Sequence, residues 1–494
     1  MKKFLGAIYL STILLTFSHQ TANSQTASDI LRYAYTNPQG TARAMGIGGA
    51  IGGLGGDFTS LSINPAGIGG YWKSEFMISP VFIANNTKSS LNGGLESQEL
   101  ARKFGFSNVG IVFSNTSDRG AWKSVSMGIG LNKLSSFNQE FFYQNETQGS
   151  IVNRFAGLAF GLTPDQLDGF EAGPAYSSGA IYDIGSDLIY ESDFDNEDQE
   201  VFRKNQLVKT EGYNNELVIG FGGNLKNKVL LGGAIGVPFV SYSSEKNYQE
   251  SDEADVIPAF NELQFNEYLT TEGKGINLKL GAIVKLNNDI RLGAAVHSPT
   301  YLTLTDRFTT DFTYAYNEGS GDESFTNESP DGEFEYGVST PWKVVANAAW
   351  IIGKKGFIST DIEYVDYASA KYDFTTNSDN VEDRIYQDEI NAQIKDLYKS
   401  AINVRLGGEL AYEGFRFRAG GQLLGSPFAG DNTLESVLSA GIGVRGNRAF
   451  LDIGFNHSSV SERYLPYRIA GAPLQTVDNK IGKNQVVVTV GFKI

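Results

Sequence analysis

Cysteine is absent from the sequence of 494 residues, which excludes disulfide bonds, thiolate metal sites and an N-terminal lipoprotein anchor. Histidine is nearly absent: of three residues, only His297 and His457 lie beyond the N-terminal leader, and neither has a metal-ligand spacing. We therefore predict no metal site, no cofactor and no catalytic residues. A lipase-like Ser–His pair is the enzyme alternative that residue spacing leaves open.

Positive charge is also in short supply. The 40 Lys and Arg residues against 56 Asp and Glu residues give a formal net charge of −16. This charge excludes nucleic acid as a partner, because phosphate binding needs a basic surface. Residues 441–446 match the pattern GxGxxG, but they lie in a predicted strand with no helix after it. The helix N-terminus that binds phosphate is therefore missing, and we interpret the match as chance.

Long apolar runs are confined to the N-terminus. Lys2 and Lys3 precede the apolar residues 4–17, and Ala22-Asn23-Ser24 fits a small-x-small cleavage site. Residues 1–24 are therefore predicted to be a signal peptide. The run is shorter than the roughly 20 residues of a spanning helix, and no later segment is long and apolar enough to span as one. The mature chain is secreted or lies in a membrane as a β-barrel.

What the sequence has instead is glycine (57 residues), tyrosine (24) and phenylalanine (32), which favour turns, strands and interfacial aromatic girdles. Apolar residues alternate with polar, charged or glycine residues in residues 276–286, 358–364, 404–412 and 486–494. A soluble sandwich shows the same alternation. Connection lengths distinguish a soluble sandwich from a transmembrane barrel. Short connections such as residues 117–120 alternate strictly with long ones, as in transmembrane barrels.

The predicted fold class is all-β: a transmembrane antiparallel β-barrel of about 14 strands with both termini on the periplasmic side. Closure of the barrel pairs every backbone group that would otherwise meet hydrocarbon unpaired. The charged residues at alternate positions are predicted to point into the lumen: Lys279, Lys285, Asp361, Glu363, Arg405, Glu409, Arg416, Arg418 and Asp452. A lumen of this width leaks unless a segment fills it.

Residues 40–70 are rich in glycine and end in Asn64-Pro65-Ala66-Gly67. Each glycine costs a helix interior about 1 kcal/mol against alanine, so a helix is disfavoured. Asn and Pro together indicate a turn. A surface loop with an ordinary Asn-Pro turn is the simpler interpretation. Compact glycine-rich backbone is also what close packing inside a larger structure requires.

Three motifs in this stretch resemble the N-terminal hatch of the FadL/TodX (OmpP1) family of outer-membrane transporters for long-chain fatty acids and other hydrophobic compounds. They are Arg43-Ala44-Met45-Gly46, Gly55-Gly56-Asp57 and Asn64-Pro65-Ala66-Gly67. The resemblance implies a hatch or plug over residues 25–73, inside a barrel of residues 74–494 with long extracellular loops.

The resemblance also implies a mechanism. Asn64, Pro65, Ala66 and Gly67 would face a lateral opening in the wall beside a kinked third strand, which we place at residues 121–143. Gly128 and Gly130 are the candidates for the kink, since glycine in a strand marks bulges and close approach. Hydrophobic ligand would be captured at the outer loops, pass the hatch and leave sideways into the membrane. The chain would be a monomer in the outer membrane of a Gram-negative bacterium, in contact with its lipid and lipopolysaccharide.

One outer loop differs from the rest in being apolar. In residues 151–162, Ile151, Phe155, Leu158 and Leu162 share a helical face and are the candidates for ligand capture. The alternative is that this face packs on neighbouring loops.

The remaining long loops are acidic, and the simplest interpretation is a solvated surface. The more specific interpretation is that the acidic loops bridge to lipopolysaccharide through divalent cations. Asp193, Asp195, Glu197 and Asp198 resemble a calcium loop, but the glycine that an EF-hand needs is missing, so we reject the EF-hand. Two other functions stay open: a surface receptor or adhesin anchored by the barrel, and a porin for polar solutes.

Overall fold

The computed structural model describes residues 25–185, 187–195, 200–317, 321–375, 380–469 and 471–494. The predicted signal peptide lies outside these residues, as do Glu197 and Asp198 of the acidic loop. No helix in the described part of the chain is long and apolar enough to cross a membrane.

Strands dominate the structure. In chain order they are β1 (Glu75–Leu91), β2 (Ser97–Thr116), β3 (Trp122–Ser136), β4 (Gln139–Thr147), β5 (Phe202–Leu225), β6 (Val229–Ser251), β7 (Phe260–Lys285), β8 (Ile290–His297), β9 (Tyr301–Asn317), β10 (Asp322–Glu328), β11 (Gly332–Ser339), β12 (Lys343–Ile352), β13 (Gly356–Asp366), β14 (Lys371–Asp373), β15 (Ser400–Tyr412), β16 (Phe415–Gly425), β17 (Leu434–Arg445), β18 (Ala449–Tyr464) and β19 (Val477–Lys493).

Helices are few and short. The α-helices are α1 (Ile30–Ala34), α2 (Ala42–Gly46), α3 (Ile151–Ala159), α4 (Ala172–Ser177) and α5 (Val381–Leu397). Short 3₁₀ helices occupy Phe58–Ser62, Pro65–Gly70, Pro164–Gln166 and Tyr367–Ser369.

The described strands form one closed antiparallel barrel of 14 strands, which confirms the predicted fold class. Four barrel strands are each built from two consecutive pieces: β3 with β4, β8 with β9, β11 with β12, and β13 with β14. β10 only forms a hairpin with β9. The barrel closes where β1 pairs with β19, from Glu75 opposite Lys493 to Leu91 opposite Val477.

The alternation of side chains explains the wall. On β7, Ile276, Leu278 and Leu280 are exposed on the outer surface, whereas Asn277 and Lys279 between them are buried on the inner side. Because successive strand residues point to opposite faces, one period-two pattern supplies an apolar outside and a polar inside.

Several strands run farther than the apolar pattern predicts. The alternation of apolar residues predicts a long connection over residues 85–105, but in the structure β1 and β2 continue as a paired hairpin and only residues 92–96 connect them. The prediction was wrong here because the outward positions beyond the apolar band, such as Lys88 and Ser90, are polar. β5, β6 and β7 extend beyond the band in the same way.

Residues 25–73, called the N-terminal segment below, contact strands from all around the ring. Helix α2 lies against β16 to β19, and Pro65–Gly70 lies against β3 and β5 to β7. Between these two contacts, the amide of Gly52 donates to Asp361 on β13 at 2.9 Å. The outer mouth is covered by a second cluster in which α3 and α4 pack on the outer ends of β5, β7 and β9.

Candidate functional site

Neighbouring strands β2 and β3 are paired over only part of their length. They pair from Thr116 opposite Ser124 to Asn108 opposite Asn132. Beyond Asn108, β2 stays paired with β1 alone. On the other side, the register of β3 against β5 shifts between Lys133 and Ser135. In the described structure, residues 97–107 of β2 therefore have no strand partner on this side, and the wall has a gap.

The second half of this barrel strand leaves the wall. β4 pairs only with β5, and its Phe141 and Tyr143 pack with Leu91 of β1 and Val477 of β19. The side chain of Asn145 donates to the carbonyl of Leu91 at 3.0 Å. β4 thus runs along the inner face of β1, and the gap opens where it turns inward.

A cavity of about 480 Å³ occupies the gap. Its apolar wall includes Phe104, Phe106 and Leu131, all exposed on the outer surface. The two phenylalanine rings meet edge-on with centroids 6.3 Å apart. Lys103 on β2 forms an ion pair with Glu211 on β5 at 2.8 Å, which spans the gap.

The N-terminal segment closes the inner side of the gap. The backbone amides of Asn37 and Gln39 donate to the backbone carbonyls of Leu134 and Lys133, respectively, both at 3.0 Å. They pair the edge of β3 that β2 has left. One residue further on, the hydroxyl of Ser107 donates to the carbonyl of Gly40 at 2.6 Å.

A second contact holds the segment against the base of the gap. The side-chain amide of Asn132 donates to the hydroxyl of Ser62 at 2.9 Å. That hydroxyl donates to the carboxylate of Glu216 on β5 at 3.0 Å. On the lumen side lies a cavity of about 40 Å³ lined in part by Pro38, Ser62 and Leu134. These residues form a thin partition between the gap and the lumen.

On the opposite side of the barrel, the segment meets buried charge. Arg43 lies 3.9 Å from Glu409, which pairs with Arg418 at 2.7 Å. Asp452 pairs with both Arg418 and Arg445 at 2.7 Å. The predicted inward orientation of charge is confirmed for buried Lys279, Asp361, Glu363, Arg405, Arg418 and Asp452.

The predicted hatch motif lies away from the gap. The Asn64 side chain donates to Asn347 on β12 at 2.8 Å and accepts from the amide of Ala66 at 3.2 Å. Pro65 and Ala66 press against Gly232 on β6, where an added Cβ would lie 2.3 Å from the Pro65 carbonyl oxygen. The prediction that this motif faces an opening beside the third strand is therefore wrong, because it packs on β6 and its neighbours. Gly67 packs against Ser60 within the segment.

The predicted kink is also displaced. β3 pairs regularly on both sides at Gly128 and Gly130, so neither glycine bends it. They instead allow close approach: a Cβ on Gly128 would lie 2.5 Å from Ile68, and one on Gly130 would lie 2.7 Å from Phe58. The strand breaks between residues 133 and 139, a stretch without glycine or proline that sequence reasoning missed.

The candidate capture residues are mostly interior. Ile151 and Phe155 are buried in the core of the outer cluster, Leu162 is half-buried and Leu158 is 41% exposed. For Ile151 and Phe155 the packing alternative holds, because their helical face meets Phe265 and Phe312.

Asp193 of the acidic loop serves this same cluster. It accepts hydrogen bonds from Tyr314 at 2.6 Å and Tyr182 at 3.4 Å. Burial raises the pKa of its carboxyl group, and the two tyrosines act in the opposite direction.

The two histidines make structural contacts, His297 with the carbonyl of Ile63 and His457 with Asn484, each at 2.9 Å.

No family model and no curated protein matches the sequence. Among solved structures, a FadL homologue of Pseudomonas aeruginosa is similar over 93% of this chain and 99% of its own, with 10% identity and a TM-score of 0.56. The toluene transporter TodX of Pseudomonas putida is similar over 93% of this chain and 99% of its own, with 12% identity and a TM-score of 0.52. At this identity the likeness shows a common fold, the one that the sequence resemblance implied.

Proposed function

We propose that the protein is an outer-membrane channel for passive uptake of hydrophobic small molecules, such as long-chain fatty acids or aromatic compounds. One observation carries the proposal: the wall has a gap between β2 and β3, apolar towards the lipid and closed from the lumen by residues 37–40. The fold shared with the toluene transporter TodX supports it.

Physical chemistry favours such an exit for apolar cargo. A hydrophobic ligand gains about 0.8 kcal/mol for each CH₂ that it buries, so passage from the lumen directly into the bilayer avoids water. Unpaired backbone facing hydrocarbon is costly, so the part of the unpaired β2 edge that lies within the apolar band, at Phe104 and Phe106, needs a compensating role. A receptor or adhesin that used the barrel only as an anchor would gain nothing from the gap.

The N-terminal segment is the hatch in this proposal, and the structure is its closed state. Opening requires residues 37–40 and Ser62 to leave the edge of β3. This breaks neutral hydrogen bonds at residues 37–40, and at Ser62 it also breaks the hydrogen bond to the Glu216 carboxylate. Asn64, Pro65, Ala66 and Gly67 hold the other end of the hatch against β6 and β12. Gly40, at φ +58°, gives the moving part a conformation that other residues rarely adopt. The released ligand would enter the lipid beside Phe104 and Phe106.

The proposal includes the setting. The barrel closes within one chain, so a monomer suffices, and its apolar outer surface would contact outer-membrane lipid and lipopolysaccharide. First capture of the ligand would fall to Leu158 at the outer mouth, because Ile151 and Phe155 are packed inside. We propose no catalytic activity.

A reversible tether tests the moving hatch. Ser62→Cys with Asn132→Cys places two thiols where the native side chains are 2.9 Å apart, and the natural chain has no cysteine to interfere. We expect wild-type protein in liposomes to take up a radiolabelled long-chain fatty acid above the level of empty liposomes. The oxidised double variant should lose this uptake, and a reductant should restore it.

The matched control tethers strands that have no reason to move. Thr313→Cys with Thr326→Cys joins β9 to β10 at hydroxyls 2.8 Å apart, and uptake should survive oxidation. Unchanged uptake through the oxidised Ser62 and Asn132 variant would contradict hatch gating. If the wild type took up neither a fatty acid nor toluene, the transport proposal itself would fail.

A further inference from the structure

The cavity in the wall gap contains two lysines in different surroundings. Lys103 is paired with Glu211 at 2.8 Å. Lys133 is only 8% exposed, and no hydrogen bond or ion pair of its Nζ is found within the described residues. A Cβ on Gly105 would lie 3.4 Å from this Nζ. The Lys133 side chain therefore reaches from β3 across the gap to the unpaired edge of β2.

The polar groups around Lys133 leave hydrogen-bonding capacity unused. The side-chain oxygens of Asn108 and Asn138, which line the same cavity, have no hydrogen-bond partner in the described structure. The Asn138 amide nitrogen donates to the Ser136 hydroxyl, which can donate in its turn, so rotation of this amide would present a donor to the cavity. The Asn108 amide is fixed by its donation to the Leu131 carbonyl and the Asn132 side chain, and its oxygen can only accept. Burying a cation without a partner costs free energy, and natural structures rarely leave such groups unsatisfied without a ligand or water.

One side of the cavity is apolar and open to the lipid, and the remaining lining is polar, with serine and asparagine side chains and Glu211. Phe104, Phe106 and Leu131 line the apolar side and continue onto the outer surface. A volume of about 480 Å³ is in the range of pockets that hold one small ligand. The cavity therefore suits a single chain with a compact head group, and is too small for a lipid with several chains.

We propose that this cavity binds the anionic head group of a single-chain amphiphile, with Lys133 as the residue that selects a carboxylate over an uncharged hydrocarbon. The inference rests on the proposed uptake function, which brings such a ligand to the gap. The carboxylate would pair with Lys133 while the alkyl chain lies along Phe104 and Phe106. An uncharged aromatic compound would leave the ammonium group of Lys133 unpaired and would bind less well.

Binding measurements on the full chain test the role of Lys133. The probes are palmitate and 1-hexadecanol, which share a chain length and differ in charge, with the protein in phosphatidylcholine nanodiscs. Lys133→Met keeps the bulk and removes the charge, Lys133→Arg keeps the charge, and Lys480→Met removes an exposed charge from β19 as the control. Circular dichroism confirms that each variant is folded.

We expect Lys133→Met to weaken palmitate binding at least about tenfold, the loss typical of a charge-assisted hydrogen bond. Hexadecanol binding should change less than about twofold, and Lys133→Arg and Lys480→Met should both bind palmitate as the wild type does. Equal losses for both probes in Lys133→Met, or no loss for palmitate, would overturn the assignment. Displacement of palmitate by equimolar lipopolysaccharide would also overturn it, because the head group would then belong to the membrane.

The two measurements distinguish failure of the transport proposal from failure of the Lys133 binding site. If wild-type protein binds palmitate through Lys133 but liposomes show no uptake, the transport proposal fails and the binding site stands. If uptake of palmitate proceeds equally well in the wild type and in Lys133→Met, with equal binding, the channel stands and the role of Lys133 falls.

Discussion

The N-terminal segment is held on two sides of the barrel by different chemistry. Towards β15 to β18 it meets a buried network of charge, in which Arg43 faces Glu409 and Asp452 joins Arg418 to Arg445. Towards the gap, residues 37–40 are held by neutral hydrogen bonds from backbone amides and a serine hydroxyl, and Ser62 is held by the Asn132 side chain and the Glu216 carboxylate.

The two kinds of contact differ in how much free energy is needed to break them. Removing one member of a buried ion pair costs about 3–5 kcal/mol because it leaves a charge unpaired. A neutral hydrogen bond contributes only about 0.5–1.5 kcal/mol net. In the proposed mechanism, residues 37–40 leave the wall while α2 stays in place, and the gap opens without the barrel losing its filling.

The largest expected effect comes from breaking the buried network of charge. Asp452→Ala leaves Arg418 and Arg445 without their shared carboxylate, and we expect the free energy of unfolding to fall by about 3–5 kcal/mol. Denaturant unfolding followed by circular dichroism measures the change. The control is Asp478→Ala, which removes an exposed pair with Arg463 and should cost less than about 1 kcal/mol. Equal losses in the two variants would remove the distinction between buried and exposed charge.

A smaller loss is expected from overfilling the base of the gap. In Gly130→Val, the new side chain meets the Val109 carbonyl oxygen at 2.2 Å and Phe58 at 2.7 Å, and overpacking of this kind costs about 1–3 kcal/mol. Gly482→Val on the β1–β19 seam is the control, because its nearest neighbour is 3.8 Å away. Thermal unfolding should distinguish the two variants. A seam variant as unstable as the gap variant would show that any added branch weakens this wall.

The smallest effect is expected from the contact between Ser107 and Gly40 at the gap. Ser107→Ala removes the hydrogen bond to Gly40, a loss of about 1 kcal/mol. We expect faster amide hydrogen exchange at residues 37–40 and faster fatty-acid uptake. Ser359→Ala, which removes a buried hydroxyl on β13, should leave both unchanged. Slower uptake in Ser107→Ala would mean that this contact helps the gap to open.

The site was harder to predict than the fold. The turn at Asn64 and Pro65 was evident from residue type, but its packing on β6 and β12 depends on residues more than 150 positions away. Gly128 and Gly130 attracted attention as strand glycines, and the structure uses them for close packing of Ile68 and Phe58 instead of a kink. In residues 151–162 the helical periodicity was present, but it could not say which partner covers the apolar face.

The barrel itself follows from the sequence. Alternating residues such as 276–286, with short and long connections between them, predict closed strands with apolar side chains outside and charge inside, because period two distinguishes two faces. The tertiary structure alone decides where the wall opens. Strand pairing uses backbone groups that nearly every residue carries, so no local pattern at Lys133 to Asn138 marks the place where β2 loses its partner. The same reason explains why only the folded chain brings Asn37 and Gln39 to that edge.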